Sequence, residues 1–282
     1  MRKFLLLLFL LFFMGIYSWS YAITISAMDS PEGLAQSLVG PGITISNVTY
    51  TGANWAAGYF SDGSVIGIDS GIVLTTGSIW NIEGTSNTSD EKSTENMLPG
   101  DSDLDNLISG SGYSTYDATI LEFDFVSAGD TAYFNYVFGS EEYNEYVFEY
   151  NDVFGFFFNG VNVAFVPGTT TPVSIDTVNN SVNSNYYHDN DPSDNLIPPY
   201  PFEYDGFTDV FTVVLENLTP GETYHLKLAI ADVRDYALDS GVFIQGGSFS
   251  NTPPQPVPEP NTIVFAALGL GGIIFLRYRR KN

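Results

Sequence analysis

The 282-residue chain has 33 acidic residues, nine Lys and Arg and no cysteine, which excludes disulfide bridges, thiolate metal sites and thiol catalysis. Between residues 23 and 276 three basic residues stand against all 33 acidic ones, a net charge of −30. A surface of this sign repels phosphate backbones, so we expect no nucleic-acid partner.

Residues 1–22 have the pattern of a secretory signal peptide. Two basic residues precede an apolar run from Phe4 to Ile16, and Ser20 and Ala22 supply the small side chains of a cleavage site. We predict cleavage after Ala22, with an uncleaved membrane anchor as the alternative. Both interpretations place the rest of the chain outside the cytoplasm.

Residues 23–250 are predicted to form one β-rich domain. Runs rich in Val, Ile, Thr, Phe and Tyr alternate with clusters of Gly, Asn, Asp and Pro, as strands alternate with turns. The clearest runs are 43–50, 72–76, 119–126, 131–138, 153–159, 210–215, 223–231 and 242–249. Two short helices are expected, one after Ser30-Pro31 and one within 101–108. This balance predicts a mainly β, antiparallel β-sandwich or jelly-roll-like domain with one or two short helices.

The run 223–231 alternates sharply. Leu226, Leu228 and Ile230 share one face, while His225 and Lys227 lie on the other. Because side chains along a strand point alternately to opposite faces, we predict one buried face and one wet face.

Two polar segments in the C-terminal half of the domain are predicted to lack regular secondary structure. Residues 179–201, rich in Asn, Asp and Pro, are predicted to be a long loop, and residues 205–209 to be a turn.

Carboxylates are the side chains best placed to carry chemistry. Asp101, Asp103 and Asp105 alternate as in calcium loops, but Asn106 and Gly112 occupy the positions where an EF-hand needs Gly and Glu. The EF-hand assignment therefore fails, and a helix cap is the alternative for this run.

A second acidic group follows the ends of predicted strands. Adjacent carboxylates repel one another unless a cation lies between them or one is protonated, and few Lys or Arg are available here. If the sheets bring these ends together, the group becomes a candidate site for Ca²⁺, the one cofactor we predict; solvated loop carboxylates are the alternative. The candidate ligands are Glu141, Glu142, Asp152, Asp232 and Asp239.

No catalytic residues are assigned. Ser89 and Lys92 match a Ser-x-x-Lys pattern without companions, and neither His188 nor His225 has a second histidine nearby. Carboxylate pairs can hydrolyse glycosides, but 33 acidic residues produce such pairs by chance. Aromatic residues make up 15% of the chain, so a face that stacks on sugar rings is a further hypothesis.

The C-terminal region divides into a Pro-rich linker at 251–257 and a tail at 258–282. The tail has an apolar run, 262–276, that would span about 22 Å as a helix, somewhat less than a bilayer core of about 30 Å. Its basic end should remain cytoplasmic. The tail begins with Pro258, Glu259 and Pro260, and its basic end contains Arg277, Arg279 and Arg280, the residues that carry the resemblance to a sorting signal described next.

A Pro-Glu-Pro motif, an apolar run and a basic end, in this order, resemble a PEP-CTERM sorting signal. The resemblance implies an inner-membrane-anchored precursor that an exosortase-type membrane protease recognises at residues 258–260. It also implies a Gram-negative, biofilm-forming host and a mature protein at the envelope surface or outside the cell.

The body of the chain resembles the choice-of-anchor L domain family. The most telling stretches are YVFGSEEY at 136–143 and NDVFGF at 151–156. Further matching stretches are 70–77, 100–104, 117–125, 205–208, 226–232 and 239–243. The resemblance implies display at the cell surface and supplies neither an activity nor ligand residues.

The sequence thus favours a non-enzymatic surface or extracellular-matrix protein, stabilised by calcium, that serves in adhesion or in binding exopolysaccharide of a biofilm. A secreted carbohydrate-active enzyme of the glycoside hydrolase type and a purely structural matrix protein are the alternatives.

Overall fold

Strands dominate residues 22–254, the part of the chain that the computed structural model describes. Val, Ile, Thr, Phe and Tyr favour a pleated, half-buried surface, which is why the apolar runs form strands. The strands are β1 Thr24–Ala27, β2 Ile43–Thr51, β3 Ala57–Ser61, β4 Gly71–Thr75, β5 Thr115–Ser127, β6 Ala132–Ser140, β7 Val153–Phe158, β8 Val161–Asn162, β9 Tyr187–Asp189, β10 Gly206–Thr208, β11 Phe211–Leu215, β12 Thr223–Val233 and β13 Ser240–Gln245.

Both predicted helices are present, and each begins at a side-chain cap. Helix α1, Pro31–Leu38, starts where Ser30 Oγ accepts a hydrogen bond from Gly33 N at 2.9 Å. Helix α2, Ser102–Leu107, starts where Asp101 accepts hydrogen bonds from the next turn. The helix-cap interpretation of this acidic run is therefore confirmed.

The strands form two antiparallel sheets. The larger has the order β1-β3-β4-β13-β6-β10-β9, and β11 also pairs with β6. The smaller has the order β2-β5-β12-β7-β8. The prediction of a mainly β, antiparallel two-sheet fold with short helices is confirmed.

The main core lies between the sheets and is largely aromatic. Phe134 and Tyr136 of β6 meet Phe156 of β7, with ring centroids 5.2 Å and 4.9 Å apart. Phe138 stacks on Phe154 at 5.0 Å. Burying one such side chain contributes about 1.5–3 kcal/mol, so this cross-sheet contact is a major source of stability.

The alternation predicted that the outer face of β12 is solvated along its whole length, but most of this face is buried. His225 is exposed, but Lys227 and Ala229 are buried because α2 packs over this face with Leu104. The small side chain of Ala229 leaves room for the helix. The prediction of a solvated face is therefore wrong beyond His225.

Two short strands lie where the sequence indicated irregular chain. Strand β9 falls inside the predicted loop 179–201, and β10 falls inside the predicted turn 205–209. Strand β10 pairs with the end of β6, and β9 pairs with β10.

Within residues 22–254, no helix has both the length and the apolar composition needed to cross a bilayer. The predicted signal peptide and the predicted apolar helix 262–276 lie outside the described residues.

Candidate functional site

The larger sheet gathers carboxylates at one end. Strand β6 ends at Ser140, which pairs with the first residue of β13 and the first residue of β10. Glu141 follows β6, Asp239 precedes β13 and Asp205 precedes β10. Strand register thus places three acidic residues side by side, although they are far apart in the chain.

The smaller sheet brings its own acidic residues to the same region. Asp232 lies near the end of β12, after a register shift, and Asp152 immediately precedes β7. Asp152 Oδ1 accepts a hydrogen bond from Val233 N at 3.0 Å, and Asp152 N donates to Glu142 Oε2 at 3.4 Å. Glu142, Asp152 and Asp232 therefore form one group, which we call the inner carboxylate group.

All five predicted ligands are buried, each at most 1% exposed, although carboxylates in loops are usually solvated. The structure divides them: Glu142, Asp152 and Asp232 lie together, whereas Glu141 and Asp239 flank the end of β6.

Asp239 is already bound by protein donors. Its carboxylate accepts hydrogen bonds from Thr94 N and Asn81 Nδ2, both at 2.8 Å, and from Ser78 N at 3.2 Å. Burial raises the pKa of Asp239 to about 6, although these hydrogen bonds lower it. Asp239 therefore connects the segment 78–81 and the segment around Thr94 to the start of β13.

Hydrogen bonds compensate the inner carboxylate group only in part. Asp152 Oδ2 and Asp232 Oδ1 are buried without a hydrogen-bond partner. Burial raises the pKa of Asp152 to about 7. Burial, and then the charge of Asp152, raise the pKa of both Asp232 and Glu142 well above the ordinary value. A buried charge without a partner is costly, so this group requires either protons or a cation.

Two further buried acidic residues were missed as site residues. Asp191 and Asp205 are both fully buried, and each has a carboxylate oxygen without a hydrogen-bond partner. The sequence interpretation assigned them to a loop and a turn, since nothing local shows that this polar segment folds against β6.

The acidic run at the start of α2 is a different kind of site. Lys227 Nζ donates to Asp101 Oδ2 at 2.6 Å and to Asp103 Oδ2 at 2.8 Å, while Asp105 Oδ1 accepts from Thr115 N at 2.7 Å. The cation in this run is therefore the chain's own lysine.

Within residues 22–254, no group of three or more His, Asp or Glu side chains stands in a geometry that could hold a metal ion. Calcium takes six to eight oxygens in flexible geometry, so the inner carboxylate group would have to draw together and recruit main-chain carbonyls or water to hold the ion.

A cleft of about 330 Å³ is lined by residues next in sequence to two members of the inner carboxylate group. Its lining includes Asn151, the neighbour of Asp152, and Val233, the neighbour of Asp232. Phe148 lines the cleft as well and is 65% exposed.

The walls of this cleft are held by specific contacts. Phe148 N donates to Asp176 Oδ1 at 2.6 Å, and Asp176 N donates to Asn151 Oδ1 at 3.3 Å. On the other side, the Arg234 guanidinium lies 5.1 Å from the ring centroid of Tyr113. The cleft thus presents two aromatic rings, Phe148 and Tyr113, together with amide and carboxylate groups.

Fold and site together define an antiparallel β-sandwich domain with a buried acidic end and a small aromatic cleft. The model of the Choice-of-anchor L domain matches residues 24–250, and the chain belongs to this family. The PEP-CTERM protein-sorting motif matches residues 256–281, which confirms the predicted sorting signal and implies an exported, envelope-targeted protein processed by an exosortase. No curated protein and no solved structure is significantly similar to the chain.

Proposed function

We propose that this exported domain is a non-catalytic module that binds extracellular polysaccharide in adhesion or biofilm formation. We further propose that Ca²⁺ at the inner carboxylate group holds the binding cleft in shape. One observation carries both: Asn151 and Val233 line the aromatic cleft, and their chain neighbours Asp152 and Asp232 each have a buried carboxylate oxygen without a hydrogen-bond partner.

The lining of the cleft suits a sugar. Aromatic rings stack on the apolar faces of pyranose rings, and the exposed rings of Tyr113 and Phe148 are available for this contact. Asn151 and Asp176 offer the hydrogen-bonding groups that orient hydroxyls. The net charge of −24 disfavours an anionic polysaccharide, so a neutral or cationic chain is the expected ligand.

Calcium suits the group behind the cleft. Carboxylate oxygens are the ligands that calcium prefers, and a divalent cation would compensate several buried charges at once. With the ion bound, the segments that carry Asn151 and Val233 would be joined. Without it, repulsion between the carboxylates would loosen the same wall of the cleft.

The test is binding of the full chain, in a mild detergent that accommodates its apolar ends, to the host's exopolysaccharide and to a glycan array. We expect saturable binding that a chelator weakens. The double variant Tyr113→Ala, Phe148→Ala should lose at least about tenfold in affinity, since stacking on an aromatic ring contributes on the order of 1 kcal/mol or more per ring.

Trp80→Ala is the matched control, because Trp80 is 48% exposed but does not line the cleft. Loss of binding in this control, with binding retained in the double variant, would place the ligand elsewhere and overturn the proposal. Release of reducing ends from the polysaccharide would instead favour the carbohydrate-active enzyme.

The location follows from the sorting motif. We propose that the tail 258–282 holds the precursor in the inner membrane until an exosortase-type protease acts at residues 258–260. The mature domain would then remain at the envelope surface or enter the extracellular matrix.

A further inference from the structure

We infer that Glu141, Asp191 and Asp205 form a second site for a divalent cation of the calcium type, separate from the inner carboxylate group. We call this set the outer carboxylate group. It does not depend on the polysaccharide proposal, since it does not line the cleft.

Strand register builds the outer carboxylate group. Because Ser140 pairs with Gly206, Glu141 and Asp205 are the next residues across the same antiparallel ladder. On the other edge of β10, Asn190 N donates to the main-chain oxygen of Asp205 at 2.7 Å, and Asp191 follows directly. Glu141 therefore lies opposite Asp205 at the end of the ladder, and Asp191 follows the residue that pairs with Asp205.

Each of the three carboxylates has one oxygen in use and one without a partner. Asp205 Oδ1 accepts from Asn87 Nδ2, and Asp191 Oδ1 accepts from Ser193 N, both at 2.6 Å. Glu141 Oε2 accepts from Lys92 N at 3.4 Å. Their other oxygens are buried and make no hydrogen bond. Buried polar atoms are nearly always paired, and one shared cation would satisfy all three.

The protein's own cations are engaged elsewhere within the described range. Lys92 Nζ lies 3.6 Å from Glu203 Oε1, and Lys227 is held by the acidic run of α2. Arg234 lies over the rings of Tyr113 and Tyr150. No Lys or Arg side chain of residues 22–254 therefore pairs with the outer carboxylate group.

Electrostatics support the grouping. Burial, against the Asn87 hydrogen bond and together with the charges of Asp191 and Glu145, raises the pKa of Asp205 to about 9. Burial and then the charge of Asp205 raise the pKa of Glu141 well above its ordinary value. The carboxylates are therefore close enough to repel one another strongly when ionised.

Glu145 is the exposed carboxylate that an ion arriving from solvent would contact first. It is exposed, its Oε1 accepts from Ser193 Oγ at 2.7 Å, and its charge acts on Asp205. A hydrated cation would meet Glu145 first and then exchange water for the buried oxygens.

A cation in the outer carboxylate group would pin a polar segment of chain to β6. This segment, residues 189–205, projects Leu196 and Ile197 into solvent, at 99% and 81% exposed. Calcium at this site should therefore determine how rigidly the protein presents this apolar tip.

The test is equilibrium dialysis of radioactive calcium against the full chain in mild detergent. We expect two calcium ions per chain. Asp205→Asn should retain one ion, Asp232→Asn should retain the other, and the exposed control Asp194→Asn should retain both. In parallel, hydrogen exchange should show calcium slowing the amides of 189–205 in the wild type and in Asp232→Asn, but not in Asp205→Asn.

Glu141→Gln replaces Asp205→Asn if the latter does not fold. Two ions retained in both outer-group variants, or unchanged calcium protection of 189–205 in them, would overturn the site. One ion in the wild type, lost in Asp232→Asn and kept in Asp205→Asn, would also overturn it while leaving the inner site standing. Loss of the ion in Asp205→Asn alone would support the outer site and contradict the inner one.

Discussion

Lys227 is a buried cation that anchors α2 to the sheet. Its side chain is 9% exposed and meets two aspartates. Burial lowers the pKa of Lys227, but the hydrogen bonds that it donates to Asp101 and Asp103 overcome this and raise it. The lysine therefore remains charged, and its charge compensates those of Asp101 and Asp103.

Lys227→Met should destabilise the domain by about 2–4 kcal/mol in urea unfolding, because Asp101 is left buried without its cation. The loss is smaller than for a fully buried pair, since Asp103 is 41% exposed. Lys92→Met is the control: this side chain is 35% exposed with one contact at 3.6 Å, and its partner Glu203 keeps hydrogen bonds from Thr88 N and Thr88 Oγ1, so its loss should cost less than about 1 kcal/mol. Equal effects of the two variants would contradict this account.

Asp152 makes stability depend on pH when divalent cations are removed. Its pKa rises from 3.8 to about 7 on folding, so the folded state holds the proton more tightly than the unfolded state. In chelator, melting temperature should therefore fall as pH rises from about 4 to 7, and it should be higher at pH 5 than at pH 8.

Asp152→Asn should flatten this pH profile without abolishing it, because Asp232 and Asp205 shift in the same direction. Excess calcium should raise the melting temperature at pH 8 more than at pH 5. A melting temperature that rises with pH in chelator would show that burial does not raise the pKa of these carboxylates.

At the scale of elements, α2 is a cover for the outer face of β12. Leu104 is fully buried in a small cluster with Ala229 and Ala231. Leu104→Ala should destabilise the domain by about 2–5 kcal/mol in urea unfolding, through lost burial and the cavity left behind. Ile197→Ala, at a position 81% exposed, should change stability by less than about 0.5 kcal/mol. If Leu104→Ala is as mild as this control, α2 is not part of the core.

The long strands were predictable because each carries its own signal. Period-two runs of β-branched and aromatic residues located β5 and β12, and Ser30 and Asp101 located the helix starts. The three-residue strands β9 and β10 carry too few residues for a pattern. They form because the end of β6 pairs with β10, and β10 in turn pairs with β9.

The candidate site was predictable only in part, because part of it depends on pairing between segments that are distant in the chain. Acidic residues after strand ends pointed to Glu142, Asp152 and Asp232, and the sheets do bring these together. The pairing of Ser140 with Gly206 joins segments more than sixty residues apart, so the neighbourhood of Glu141 and Asp205 could not be seen in the sequence. The burial of Lys227 likewise depended on docking of a helix from a distant segment.

At the scale of the whole molecule, the sorting motif separates a precursor from a mature protein. Glu259→Ala should make the full-length precursor accumulate in the inner-membrane fraction of the host, because the Pro-Glu-Pro element would no longer be recognised. Immunoblotting of fractions measures this, and Glu222→Gln, an exposed acidic change within the domain, serves as control. Normal processing of Glu259→Ala would exclude Glu259 from recognition.

The acidic residues are not confined to the surface. Within residues 22–254, five carboxylate oxygens are buried without a hydrogen-bond partner. Under the proposed function, divalent cations neutralise these buried carboxylates. Thermal unfolding of the full chain at pH 8, in calcium and in chelator, tests this claim most directly. A single site at 100 times its dissociation constant should add about 2.7 kcal/mol, which raises the melting temperature by about 5–10 °C. The same melting temperature in calcium and in chelator would contradict the account.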